Sequence, residues 1–139
     1  MVKGAKESHV VANELRPVLL RLARELRREI HSLGVTGGQV SILSAIKHDP
    51  GITASIVAEQ ERISAPAMSN HVTRLEKAGL IERSREGFDR RRFGLRLSAE
   101  GEKVLRSVRQ RRTAWLSARL DKLTNDERAR IEAAIPALE

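Results

Sequence analysis

Apolar side chains recur at Val11, Leu15, Val18, Leu22, Leu26, Ile30 and Leu33. Steps of three and four place them along one stripe of an amphipathic helix, with Arg21, Arg24, Arg28 and Glu29 off it. Pro17 falls inside this run, and its missing N–H predicts a kink or a second helix start there. Leu33-Gly34 closes the run, glycine being a common helix stop. A second helix begins at Thr36. Gln39 stands three residues on, the spacing of a reciprocal cap, and Val40, Leu43 and Ile46 form the buried face. Asp49-Pro50-Gly51 then supplies turn chemistry.

Beyond Gly51 the periods shorten. Thr53 is a cap, and Ile56, Val57 and Ala58 mark a short helix ending near Gln60. Arg62 and Ile63 form a turn, and Ser64 caps the next helix. Pro66 lies in that helix's first turn, where a missing N–H is harmless. Met68, Val72 and Leu75 are its core face, and Gly79 ends it. Leu80 to Arg85 reads as a strand. Phe93, Leu95 and Leu97 alternate with Gly94, Arg96 and Ser98, the two-residue period of a half-buried strand. Ser98 caps a long helix carrying Val104, Leu105, Val108, Trp115, Leu116 and Leu120. Thr124 and Glu127 make a second capping box ahead of Ile131, Ala134, Ile135 and Leu138, with Pro136 limiting the regularity of the end. There is no internal repeat, low-complexity tract or long flexible linker.

These elements predict a mainly α fold with a small β-hairpin wing. A winged helix-turn-helix over residues 36–98 is flanked by helical regions at 1–35 and 99–139. The flanking helices carry more apolar stripe than a small winged module can cover. Such stripes usually close on a second chain, so a two-fold homodimer is expected, held by the N- and C-terminal helices.

Composition narrows the partner. The 139 residues suffice for one compact domain or one subunit of an intertwined dimer. Twenty-six Lys and Arg against 18 Asp and Glu leave a formal charge of +8, which points to nucleic acid or another anionic surface. The absence of cysteine removes disulfides, thiolate metal sites and thiol redox sensing, and fits a reducing cytoplasm. No apolar run approaches a membrane span, and MVKGAKESH lacks the apolar core of a signal peptide, so no membrane partner is expected. Two Phe, one Trp and no Tyr leave few rings on which to stack single-stranded bases, which favours duplex DNA.

The helix from Ser64 is the candidate reader. Opposite its core face lie Pro66, Ser69, Asn70, Thr73 and Lys77, with Ala67 and Arg74 at the edge. Asn can bond an adenine edge in two places, Ser and Thr several groups, and Ala a thymine methyl, while Arg74 can reach guanine or phosphate. Ser64 and Ala65 bring free N–H groups and the positive helix end to a phosphate. The turn Glu86–Arg92 reads EGFDRRR. With Arg83 and Arg85 it gathers Arg90, Arg91 and Arg92, and an Arg at a wing tip can enter a narrow minor groove. Asp89 repels phosphate, so its expected role is to brace the turn. An ordinary solvated helix face and a generic polar hairpin are the plain alternatives; their conjunction favours DNA.

The run from Ile52 to Ser84, followed by FDRRRFGLRLSAEG, resembles the MarR family of bacterial transcriptional regulators. The family's wing signature is matched by Asp89, Arg90 and Arg91, then Leu95, Leu97, Ser98 and Gly101. The end of its recognition helix is matched by Leu75, Glu76, Gly79 and Leu80. The resemblance covers nearly the whole chain, and Arg92 makes the wing more basic than the family's habit. It implies a triangular homodimer on a pseudo-palindromic operator, often a repressor, released by a small aromatic or anionic effector. By the same analogy an effector pocket lies between the dimerisation helices and the winged region, with Arg27, His31 and Trp115 as candidate lining. The plain readings are an interface position for Trp115 and an exposed helix end for His31.

An enzyme is not expected. His9, His31, His48 and His71 are scattered over different elements, and no metal-binding, phosphate-loop or nucleophile motif is present, so no cofactor or metal is expected. Two rivals remain. A non-specific architectural DNA binder would use the same charge and wing, but the uncharged polar face at Ser69, Asn70 and Thr73 suits base readout. A winged module that binds protein would tolerate loss of the wing arginines.

Overall fold

In the computed structural model, residues 5–85 and 93–139 are described. Helix α1 spans Ala5–Glu29 and leads through a 3-10 turn, His31–Leu33, into α2, Gly37–His48. A two-residue strand β1, Ile52–Thr53, precedes α3, Ala54–Glu61, and α4, Ala65–Lys77. Strands β2, Ile81–Arg85, and β3, Phe93–Leu97, lead to α5, Ala99–Leu120, and α6, Asn125–Leu138. No described helix is long and apolar enough to cross a membrane.

The sheet is antiparallel and three-stranded, in the order β1-β3-β2. The expected hairpin is there, with Ile81 opposite Leu97 and Arg85 opposite Phe93. The third strand was not expected: Ile52 pairs with Leu95 and Thr53 with Gly94. Two residues are too short to show a two-residue period, so β1 leaves no sequence signature. It lets Thr53 serve twice, as a strand residue and as the cap whose hydroxyl accepts the Ile56 N–H.

Every expected N-cap forms, because each depends on residues within three positions of itself. In α2 the Thr36 hydroxyl accepts the Gln39 N–H at 3.2 Å while the Gln39 carbonyl accepts the Thr36 N–H at 3.0 Å. Thr124 and Glu127 repeat this at 3.1 and 3.0 Å. Two expectations about α1 change. One unbroken helix passes through Pro17, so no second start occurs there. Asn13, whose carbonyl loses the Pro17 N–H, is exposed to water, and so are its neighbours. The helix also stops at Glu29 rather than Leu33. The last turn tightens to 3-10, and Gly34 closes it in the left-handed region at φ 78°. That turn swings Ile30 and Val35 inward, at 0% and 4% exposure.

A single buried cluster holds these parts together. It takes Val40, Ile42, Leu43 and Ile46 from α2, Val57 and Ala58 from α3, and Met68, Val72 and Leu75 from α4. Ile52, Leu80, Ile81 and Leu95 come from the sheet and its approach, and Leu105 and Val108 from α5. Ile30, Leu105 and Val108 lie on flanking helical segments, so the winged region and its flanks share one core. Outside that core the flanks are open. Val10, Val11, Val18, Leu19 and Leu20 of α1, Leu116 of α5, and Ile131, Ile135 and Leu138 of α6 are all exposed.

Candidate nucleic-acid interface

Helix α4 is fixed from behind. Met68, Val72 and Leu75 are 2%, 4% and 1% exposed, which leaves the opposite face no freedom to rotate inward. On that face Pro66, Ser69, Asn70, Thr73, Arg74 and Lys77 are exposed and Ala67 is half-buried. The Ser64 hydroxyl accepts the Ala67 N–H at 3.2 Å, setting the start of the helix. The Thr73 hydroxyl donates to the Ser69 carbonyl at 3.0 Å. Its proton is therefore engaged within the helix, and what it offers outward is an acceptor lone pair and a methyl group.

The turn before α4 is made by Arg62 at φ 54°, a left-handed conformation unusual for a residue with a side chain. Glu61 helps hold this region: the Ser41 hydroxyl of α2 donates to its carboxylate at 2.6 Å. At the other end, Gly79 turns the chain at φ 74°. Ser98 ties that turn to α5, its hydroxyl donating to the Gly79 carbonyl while accepting the Gly101 N–H at 3.0 Å.

The basic residues expected of the wing divide. Arg85 is exposed on the last position of β2. Arg83 is engaged: its Nε donates to Glu76 Oε1 of α4 at 2.8 Å, and its guanidinium lies 5.5 Å from the centroid of the Phe93 ring. Asp89, Arg90, Arg91 and Arg92 lie outside the described residues. Glu76 and Phe93 were missed as site residues, although Glu76 sat in the helix-end motif. Their link to Arg83 runs across a turn and a strand pair, which no local spacing reveals.

Two cavities flank this framework. A cleft of about 470 Å³ separates α3 and α4 from the sheet and is lined by Ile56, Ser69, Val72, Arg83, Phe93 and Leu95 among others. A second, of about 480 Å³, lies between α2 and α5 and gathers Lys47, His48, Arg109 and Arg112 around Val40, Leu105 and Val108. Lys47 is neutralised by Glu102 at 3.1 Å. The Nε of Arg112 is buried with no hydrogen-bond partner among the described residues. Arg27, His31 and Trp115 line neither cavity. The Arg27 stem lies beside Gly37, His31 is exposed, and Trp115 is half-buried under the Arg119 guanidinium at 4.1 Å.

Known proteins share both the motif and the arrangement. The sequence pattern of the MarR family matches residues 33–92, which takes in α2, β1, the helix pair α3 and α4, and β2, and stops short of β3. A transcriptional regulator of Pseudomonas aeruginosa with a solved structure is 31% identical, covering 97% of this chain and 95% of its own, with a TM-score of 0.82. The chain belongs to the MarR family. MdtR of Bacillus subtilis, an HTH-type transcriptional repressor, is 28% identical over 81% of this chain and 73% of its own. MepR of Staphylococcus aureus, solved in mutant form bound to an oligodeoxyribonucleotide, shares the fold: TM-score 0.73 at 19% identity, over 92% of this chain and 94% of its own. As a MarR-family protein this one is a DNA-binding transcription regulator with a winged-helix fold, not an enzyme.

Proposed function

We propose that the protein is a sequence-specific reader of duplex DNA, working in the cytoplasm as a homodimer that represses transcription from a pseudo-palindromic operator. The observation that carries this is α4. A face of Ser69, Asn70 and Thr73 stands exposed between Pro66 and Lys77, held outward by three buried apolar residues on the reverse. Uncharged hydrogen-bonding groups on a rigid helix suit base edges, whereas a purely electrostatic binder would need lysines there. Ser64 and Ala65 at the helix start, Arg74 and Lys77 along it, and Arg85, Arg90, Arg91 and Arg92 of the wing would hold the phosphates, with Asp89 bracing the wing turn. Region 36–98 would thus read DNA while 1–35 and 99–139 pair the subunits. The exposed apolar side chains of α1, α5 and α6 support that pairing. The Bacillus subtilis repressor supports the direction of control, and the MepR complex with an oligodeoxyribonucleotide supports DNA as the target.

Release would come from a small anion in the cleft between α2 and α5. Arg109, Arg112 and His48 face it, and the unpartnered Arg112 Nε offers a buried donor to an acceptor. This cleft serves an anion better than Arg27, His31 and Trp115, which border neither cavity. A salt-controlled titration against fragments of the source genome tests the reading. A few fragments bound far more tightly than the rest support it, and equal affinity for all makes the protein an architectural binder.

A further inference from the structure

Arg83 stands where three elements meet. Its strand β2 leaves α4 through the turn at Gly79 and runs toward the wing. Glu76, on the last turn of α4, holds its Nε at 2.8 Å. Phe93, the first residue of β3, lies beneath its guanidinium at 5.5 Å. The surroundings make this contact consequential. The cleft of about 470 Å³ opens between α4 and the strands, with Ser69 and Val72 on one wall and Phe93 and Leu95 on the other. Packing there does not fill the space between reader and wing, and the Arg83 side chain bridges it. A planar guanidinium can bond a carboxylate and stack on a ring at once, which an ammonium cannot do with the same geometry.

We propose that Arg83 is a positioning residue: clamped by Glu76 and seated over Phe93, it sets the angle of the wing to the recognition helix instead of neutralising a phosphate. The inference rests on the DNA-reading proposal above. It makes a prediction opposite in sign to the simple one. Were Arg83 a phosphate ligand, Glu76 would compete with DNA for it, and removing the carboxylate would tighten binding. As a brace, Arg83 needs Glu76, so the same change loosens selective binding.

The test titrates wild type, Arg83→Met, Glu76→Gln, the double variant and Arg83→Lys against the selected operator and against random duplex, over a range of salt. Each single variant should lower the operator-to-random affinity ratio by about tenfold, and the double variant no further, because the two residues form one unit. The slope of log affinity on log salt should stay that of wild type, and Arg83→Lys should recover part of the ratio. A slope reduced by about 0.9 in Arg83→Met marks a lost phosphate contact and overturns the inference. Tighter binding by Glu76→Gln, or an unchanged ratio in either single variant, also overturns it. Glu76→Gln preserves the shape of a half-buried side chain outside the core and decides by sign even if an Arg83 variant misfolds. A wild type without fragment preference sinks the sequence-reading proposal and this inference together, whereas a selective protein with an altered slope sinks the inference alone.

Discussion

Gly101, buried in the first turn of α5, has no room for a side chain. A Cβ built there would stand 2.1 Å from the Leu80 carbonyl oxygen, which already accepts the Ser98 N–H at 3.0 Å. Gly101→Ala must therefore move α5 away from the strand entry, and unfolding by denaturant should show a loss of about 1–3 kcal/mol, as for other overpacked sites. Asn70 is the opposite case, exposed and free to be changed without touching the core. Asn70→Ala should leave stability alone and weaken binding by roughly 1–3 kcal/mol at one operator position, read by substituting bases one at a time. A uniform loss over all sequences would make Asn70 a positioning contact. At this scale the sequence revealed Met68, Val72 and Leu75 and the face opposite them, because helical spacing alone decides both. It did not reveal that Arg83 is held by Glu76 and Phe93, since that contact depends on how a helix and two strands converge.

The elements begin where their caps predict, and one cap carries a pH dependence. The Thr124 N–H bonds the Glu127 carboxylate and holds its pKa below the ordinary value. A lowered folded pKa means that this contribution is present above the unfolded pKa and lost as the pH falls through the folded one. Glu127→Gln should therefore flatten the acid side of the helicity profile of α6, measured by circular dichroism against wild type. The wing can be tested as an element through its charge. Arg91→Ala should weaken binding and lower the salt slope by about one for a lost phosphate contact. What sequence could not show were the elements defined by neighbours: the short β1, the tightened end of α1, and the basic cleft. Lys47 and His48 stand on α2 and Arg109 and Arg112 on α5, far apart in sequence, and the packing of α2 against α5 brings them to one cleft.

For the whole molecule, the apolar residues left open on α1, α5 and α6 argue for a second copy of the chain. Sedimentation should give a dimer at micromolar concentration, and Val18→Glu, at a valine 45% exposed in the single chain, should yield a folded monomer. A dimer would carry two copies of α4, about 34–36 Å apart for adjacent major grooves on one face of DNA. That spacing turns a single reader into a test of operator symmetry. The most direct measurement is selection of bound fragments from the source genome at fixed salt, followed by titration of the winners. The account predicts a small set of fragments carrying inverted half-sites one helical turn apart, bound at least about a thousandfold more tightly than random duplex. Equal affinity for every fragment, varying with salt alone, would contradict it.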